Sequence, residues 1–299
     1  MNLRDLRYLI AVADLRSFVQ AAERCYISQP TLSTQIKKME DDLGVQIFER
    51  SNKKVLLTEA GSLIVESARR ILREVDHIKE LAENVQDPYA GNLRIGAFPT
   101  LSTYVFPGLV PLIRETLPRI RLILVEEKTE ALMHKLKNGD IDMALLALPI
   151  ADDFLQHEEL FEDEFLLAVA TDHELAKASQ VQLSDLAGQK HMLLLEEGHC
   201  LRGHALKICR LHGVEEYQDV RATGLETLRQ MVRAGSGITF MPRIAVRQQE
   251  QGIRYIPFRP PVPSRSIGLV WRKTSHRGQL IAVVADLIKK VQADCRAAA

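Results

Sequence analysis

The sequence predicts a small helical head carrying a hairpin, then one long amphipathic helix, then a larger α/β half. Three observations predict it. Apolar stripes at helical spacing repeat between capping residues over the first 57 residues, a heptad seam runs unbroken through residues 58–87, and strand-length apolar runs alternate with helical stretches from residue 91 onward. A chain of 299 residues has room for two or three such parts. Hydrophobic residues at 46% and charged residues at 26% place it among globular chains rather than disordered ones.

The first helix follows from Leu6, Leu9, Ile10 and Ala13 on one face. Ser17 with Gln20 forms a capping box that starts a second helix at Phe18, running to about Cys25. Ser28 is an N-cap, Pro30 suits a first helical turn, and Gly44 terminates the third helix, whose inner stripe is Leu32, Ile36, Met39 and Leu43. Gln29, Thr31, Ser33, Thr34, Gln35 and Lys37 present short polar groups able to reach base edges and phosphates, and Ser28 and Pro30 at the start of the helix join them in the expected DNA-binding set. Phe48–Arg50 and Lys54–Leu57 then read as a hairpin whose Arg50, Lys53 and Lys54 would approach phosphates. Together these read as a winged helix-turn-helix, the plain alternative being a three-helix packing unit with a solvated basic turn. Charge alone would not have pointed there, because Lys+Arg and Asp+Glu both total 39.

From the N-cap Thr58, the residues Ile64, Ala68, Ile71, Val75, Ile78, Ala82 and Val85 form a heptad seam. It has to be buried by a second copy or by its own chain; a second copy would pair two recognition helices on one duplex. Asp87–Gly91 breaks this helix. Beyond it, Leu93–Phe98, Leu122–Val125, Met143–Leu148, Leu166–Ala170, Met192–Leu195, Ile238–Met241 and Ile267–Trp271 read as strands of a parallel sheet.

Ala21-Ala22-Glu23, Ser28-Gln29-Pro30-Thr31-Leu32-Ser33, Leu43-Gly44 and Leu57-Thr58-Glu59-Ala60-Gly61 resemble the LysR-type transcriptional regulators, and the resemblance runs along the whole chain. It implies a DNA-binding domain over 1–57, a dimerising linker helix over 58–87 centred on Ile64, Ala68, Ile71, Val75 and Ile78, and an effector domain over 88–299. That domain would be two Rossmann-like lobes akin to periplasmic binding proteins: lobe I about 92–162 and 268–299, lobe II about 163–267, with crossings near 163 and 267. Double-stranded promoter DNA, a homodimer or homotetramer and RNA polymerase are the implied partners. The run Leu228–Pro242, with its Arg233-Ala234-Gly235-Ser236-Gly237-Ile238, is also typical of such effector domains.

No dinucleotide fingerprint, phosphate loop or zinc spacing occurs, and His191, His199, His204 and His212 lack paired ligand spacing, so neither cofactor nor metal is expected. The start of the chain lacks a secretory pattern and no apolar run approaches a membrane span, which predicts a cytoplasmic protein with no membrane partner. In that reducing compartment disulfides tend to be transient or sensory, which bears on the four cysteines.

Cys25 and Cys295 stand in unreactive contexts. Cys200 and Cys209 lie nine positions apart. On a helix that separates their Cα atoms by roughly 13 Å, beyond the disulfide limit of about 7 Å, so bonding would need local unfolding. Closing so short a loop restricts the unfolded chain by only about 2 to 3 kcal/mol. A helix start, with His199 and Arg202 nearby, would favour the Cys200 thiolate, while Cys209 beside Ile208 and Leu211 would be the resolving thiol. Two unrelated buried thiols are the plain alternative.

Gly198-His199-Cys200-Leu201-Arg202 followed by Cys209, together with Leu225-Glu226-Thr227-Leu228-Arg229, resembles the peroxide-sensing branch of the LysR family. The resemblance implies a peroxidatic Cys200, a Cys200–Cys209 disulfide, thioredoxin or glutaredoxin as reductant, and activation of oxidative-stress genes rather than enzymatic turnover. It assigns Thr100, Thr129, His199 and Arg265 to peroxide binding and thiolate support, although both threonines also read as helix N-caps. Gly203 and Lys207-Ile208 depart from the pattern. The competing readings are a LysR-type regulator answering a small-molecule co-inducer and, in another class, a thiol peroxidase or oxidoreductase.

Overall fold

The computed structural model describes residues 1–51, 54–187, 191–212, 216–247 and 250–297. They fall into two compact units, Met1–Val85 and Gln86–Ala299.

In the first unit, α1 (Leu3–Leu15) is capped by Asn2, whose side chain accepts from the Arg4 and Asp5 amides, and α2 (Phe18–Arg24) by Ser17. Ser28 caps α3 (Gln29–Leu43) through the Thr31 amide, and Gly44 ends it in the left-handed conformation. Leu32, Ile36 and Met39 are buried as the stripe requires, but Leu43 is 42% exposed. The stripe drifts about 40° over the four residues from Met39, and Leu43 is the last residue of the helix, with nothing left to cover it. The wing is the antiparallel pair β1 (Phe48–Ser51) and β2 (Lys54–Leu57), with Phe48 opposite Leu57. Glu40 fastens it to α3: its Oε1 accepts from the Ile47 and Phe48 amides at 2.9 and 3.1 Å.

The linker helix α4 (Glu59–Gln86) starts against the wing. Thr58 Oγ1 accepts from the Gly61 amide at 2.8 Å, and a Cβ on Gly61 would sit 2.1 Å from the Ile47 carbonyl, so only glycine allows this approach. The assignment of Ile64 and Ala68 to the dimerising face needs correction. Ala68 is buried and Ile64 half-buried in the core of this unit's own helices, together with Val65 and Leu72. Only farther along does the seam open: Val75 is half-buried, and Ile71 and Ile78 are 43% and 60% exposed.

The second unit contains, in order, β3 (Gly91–Ala97), α5 (Pro99–Thr116), β4 (Ile120–Glu126), α6 (Thr129–Asn138), β5 (Met143–Ala147), β6 (Leu155–Ala170), β7 (Met192–Leu195), α7 (Cys200–His212), β8 (Glu216–Ala222), α8 (Leu225–Arg233), β9 (Thr239–Pro242), β10 (Ile253–Pro257), β11 (Ser264–Arg272) and α9 (Gly278–Ala297). The sheet order is β10-β6-β11-β5-β3-β4, with β9 also on β6 and a separate β7-β8 pair. The expected parallel sheet is in fact mixed. β3 pairs in parallel with β4 and β5, and β7 with β8, but every pairing of β6 and β11 is antiparallel.

The reason is the long β6. Up to Glu164 it pairs with β11; from Phe165 it pairs with β9 and β10. Two separate apolar cores result. One gathers Leu93, Leu109, Leu145, Leu269 and Ile288, and the other Phe165, Leu194, Leu201, Phe240 and Ile256. These are lobes I and II, and β6 and β11 are the strands that run between them. Among the described residues no helix is long and apolar enough to cross a membrane.

Candidate functional site

Where the crossing strands pass between lobes, Asp163 of β6 stands opposite Arg265 of β11. Strand alternation turns Phe161, Asp163 and Phe165 to the buried side, so an acid in the run Glu162-Asp163-Glu164 is 3% exposed. Arg265 is 1% exposed. Its Nε and Nη2 donate to Asp163 Oδ2 at 3.0 and 2.8 Å, Nη1 donates to Thr100 Oγ1 at 3.0 Å, and Nη2 to the Thr100 carbonyl at 3.2 Å. The guanidinium also stacks over Phe98, and the other Asp163 oxygen accepts from the Ile244 amide at 3.1 Å. A buried ion pair repays its desolvation only when such partners satisfy the remaining donors and lone pairs.

Cys200, the first residue of α7, packs against the core of lobe I although its helix belongs to lobe II. Arg265 is the cation that acts on its sulfur. Burial pushes the Cys200 thiol up, and the Arg265 charge and hydrogen bond, with the Leu201 and Cys200 amides, pull against that push without overcoming it. The expected source of positive charge is therefore corrected. Arg202 donates instead to the Leu195 carbonyl at 3.0 Å. His199, 8% exposed, is held below the usual imidazole value by burial first and by Lys128 second, so it is neutral at pH 7. His204 shares a hydrogen bond with the Cys200 carbonyl at 2.8 Å and is likewise held down by burial.

Thr100 and Thr129 are not N-caps. Phe98 and Lys128 hold those positions, and the threonines are the second residue of α5 and the first of α6. Thr100 is buried against Arg265, while Thr129 Oγ1 is buried with no hydrogen-bond partner. An orphaned hydroxyl of this kind suits a small polar guest.

Cys209 is buried in the core of lobe II. Because α7 runs unbroken from Cys200 to His212, the two Cα atoms keep the helical separation of roughly 13 Å, and the thiols are unbridged. Cys25 is half-buried and pushed up by burial; the Cys295 side chain lies outside the described residues. Sequence reasoning missed Asp163, which resembles a solvated member of an acidic run. The available signal was its place between Phe161 and Phe165 at strand spacing.

The face predicted to read DNA is exposed at Ser28, Gln29, Pro30, Thr31, Thr34 and Lys37 and half-buried at Ser33. Ser28 is engaged in capping, Thr34 donates to the Pro30 carbonyl at 2.9 Å, and Gln29 Nε2 donates to Ser33 Oγ at 3.4 Å. Gln29 and Ser33 thus stand pre-paired on the outer face. Lys53 lies outside the described residues, as do the side chains of Arg50 and Lys54.

Residues 3–62 match the bacterial regulatory helix-turn-helix protein of the lysR family, and residues 86–293 the LysR substrate binding domain. The chain is 45% identical over 291 residues to the DNA-binding transcriptional dual regulator OxyR of Escherichia coli K12, covering 97% of this chain and 95% of the relative. A full-length OxyR variant from Pseudomonas aeruginosa superposes with a TM-score of 0.75 at 36% identity, over 97% of this chain and 95% of that one. A Corynebacterium glutamicum OxyR mutant bound to hydrogen peroxide gives a TM-score of 0.69 at 30% identity, over 99% and 94%.

Proposed function

The chain belongs to the LysR family of bacterial helix-turn-helix regulators, and from that premise we propose that it senses hydrogen peroxide through Cys200 and Cys209 and controls oxidative-stress genes. The observation that carries this reading is the convergence on one half-buried thiol of Arg265 from a crossing strand, with Thr100 from lobe I hydrogen-bonded to the same guanidinium.

Cys200, its pKa raised by burial, rests as the thiol; it gives up the proton that the leaving hydroxide later takes, and as thiolate attacks one peroxide oxygen. The O–O bond breaks, the leaving hydroxide takes a proton to become water, and Cys200 is left as the sulfenic acid. Arg265 stabilises the charge that develops, and Thr100, Thr129 and neutral His199 supply hydrogen bonds for the guest. The first turns of α7 then unwind, the Cys209 sulfur attacks the sulfenic sulfur, and a second water leaves. Two thiols and one peroxide thus give one disulfide and two waters. A dithiol of the thioredoxin or glutaredoxin class reverses it by exchange.

Ser28, Gln29, Pro30, Thr31, Ser33, Thr34 and Lys37, with Arg50, Lys53 and Lys54 of the wing, hold promoter DNA. Ile71, Val75 and Ile78 join linker helices in a homodimer that can pair into a tetramer. RNA polymerase is the downstream partner, and the cytoplasm the place of action. The protein works as a switch and not as an enzyme: each reduced chain consumes peroxide about once, whereas a thiol peroxidase would turn over steadily with a thiol donor.

Peptide mapping after one equivalent of peroxide should find a Cys200–Cys209 disulfide, and Cys200→Ser should bind promoter DNA but lose the peroxide-dependent change in its footprint. A persisting response in that variant overturns the reading, and a small-molecule-responsive regulator takes its place.

A further inference from the structure

One side chain of lobe I reaches across to the turn that delivers Cys200. Lys128 stands at the N-cap of α6, whose Leu132 and Leu136 are buried in the core of lobe I. Its Nζ donates to Glu196 Oε1 at 2.6 Å and to the Glu197 carbonyl at 3.0 Å. Glu196, Glu197 and Gly198 follow β7, which is buried in the core of lobe II, and lead directly into His199 and Cys200. Gly198 has φ +87°, a conformation that side-chain-bearing residues adopt at a cost, and a Cβ there would lie 2.9 Å from Lys128 Cδ. The lysine stem therefore covers the one residue of the turn that has no side chain, while its ammonium holds the two residues before it.

We infer that Lys128 is a positioning residue for Cys200: from lobe I it clamps the Glu196-Glu197-Gly198 turn, fixes the thiol beside Arg265 and Thr100 in the reduced protein, and opposes the excursion of Cys200 toward Cys209. This rests on the peroxide-sensing reading above. The excursion must bring the two Cα atoms from roughly 13 Å to under about 7 Å. A turn pinned at the Glu197 carbonyl, three residues before Cys200, restricts it, since each residue of chain spans at most about 3.6 Å. Because Lys128 and Glu196 side chains are 42% and 37% exposed, the clamp is a modest, salt-screened bias that leaves the switch free to operate.

The effect has two opposite signs, which general loosening of the fold would not produce. In full-length Lys128→Met, reaction of Cys200 with peroxide, followed by stopped flow with a sulfenic-acid trap, should slow about tenfold through misplacement of the thiol. In the same variant the ratio of disulfide to dithiol at a fixed glutathione poise should rise about two- to fivefold, the range expected for a half-exposed pair. Lys128→Arg keeps both donations and should return both values to within about twofold of the parent. Glu196→Gln, which barely changes volume, should move them as Lys128→Met does, while Lys135→Met on the same helix should leave them alone.

Unchanged rate and ratio in both Lys128→Met and Glu196→Gln, or equal changes in Lys135→Met, overturn the inference. The unsubstituted protein separates the two levels. If it forms no Cys200–Cys209 disulfide, the sensing reading falls and this inference with it; if it does and the variants match it, only the role of Lys128 falls.

Discussion

The face proposed to read DNA and the proposed thiol site are built in opposite ways. The first comes from one contiguous stretch, residues 28–37, where capping and helical period suffice to turn the polar groups outward. The second draws Phe98 and Thr100, Asp163, Cys200 and Arg265 from four separate segments onto the place where two strands pass between lobes. In the contiguous stretch the outward residues Gln29, Thr31, Thr34 and Lys37 are exposed, so they can change with little effect on the core. In the dispersed one Thr100, Asp163 and Arg265 are buried, so there function and stability share the same side chains.

The sharpest way to break that contrast is Asp163→Ala. It leaves the buried Arg265 guanidinium unpaired and should destabilise the second unit by about 3–5 kcal/mol in chemical denaturation. A loss under about 1 kcal/mol would mean the pair is not structural. Next in size, Gln29→Ala should lose about 1–3 kcal/mol of discrimination between specific and random DNA with an unchanged melting curve. Equal loss on both DNAs would show that the contact is to the backbone. Gly198→Ala should cost about 1–2 kcal/mol through its left-handed backbone, and it should also slow peroxide reaction as Lys128 gives way; unaffected kinetics would detach the turn from the thiol.

The smallest effect is with pH. Burial holds His199 and His204 below the usual 6.5, so folding favours their neutral forms. The stability this gives is present above pH 6.5 and is lost as pH falls through their depressed values. The segment 1–57 has no histidine. Between pH 7.5 and 5.5 the melting of the second unit should therefore decline while that of the winged helix-turn-helix holds; parallel decline would place the linkage elsewhere.

Both helix termini of the recognition element and both strands of the wing were legible because each is set by neighbours within a few residues: Ser28 and Gly44 for α3, and the short connection for the hairpin. Legibility failed where a partner is distant. Leu43 fits its stripe yet faces solvent, and Ala68 fits a dimer seam yet is buried by its own unit, because period says which face is apolar but not what covers it. The mixed sheet was hidden for the same reason, since strand direction depends on where β6 and β11 go after leaving one lobe.

By itself, the sequence determined the helices and wing of the first unit, the family to which the chain belongs, and the spacing of Cys200 and Cys209 on one helix. Only the tertiary structure decided which charge meets the thiol. Proximity in sequence favoured Arg202 and His199; the fold sends Arg202 to a carbonyl, leaves His199 neutral, and brings Arg265 across from a strand paired with Asp163. Coulombic influence follows distance through space and the dielectric around it, and neither is written in the order of residues along the chain.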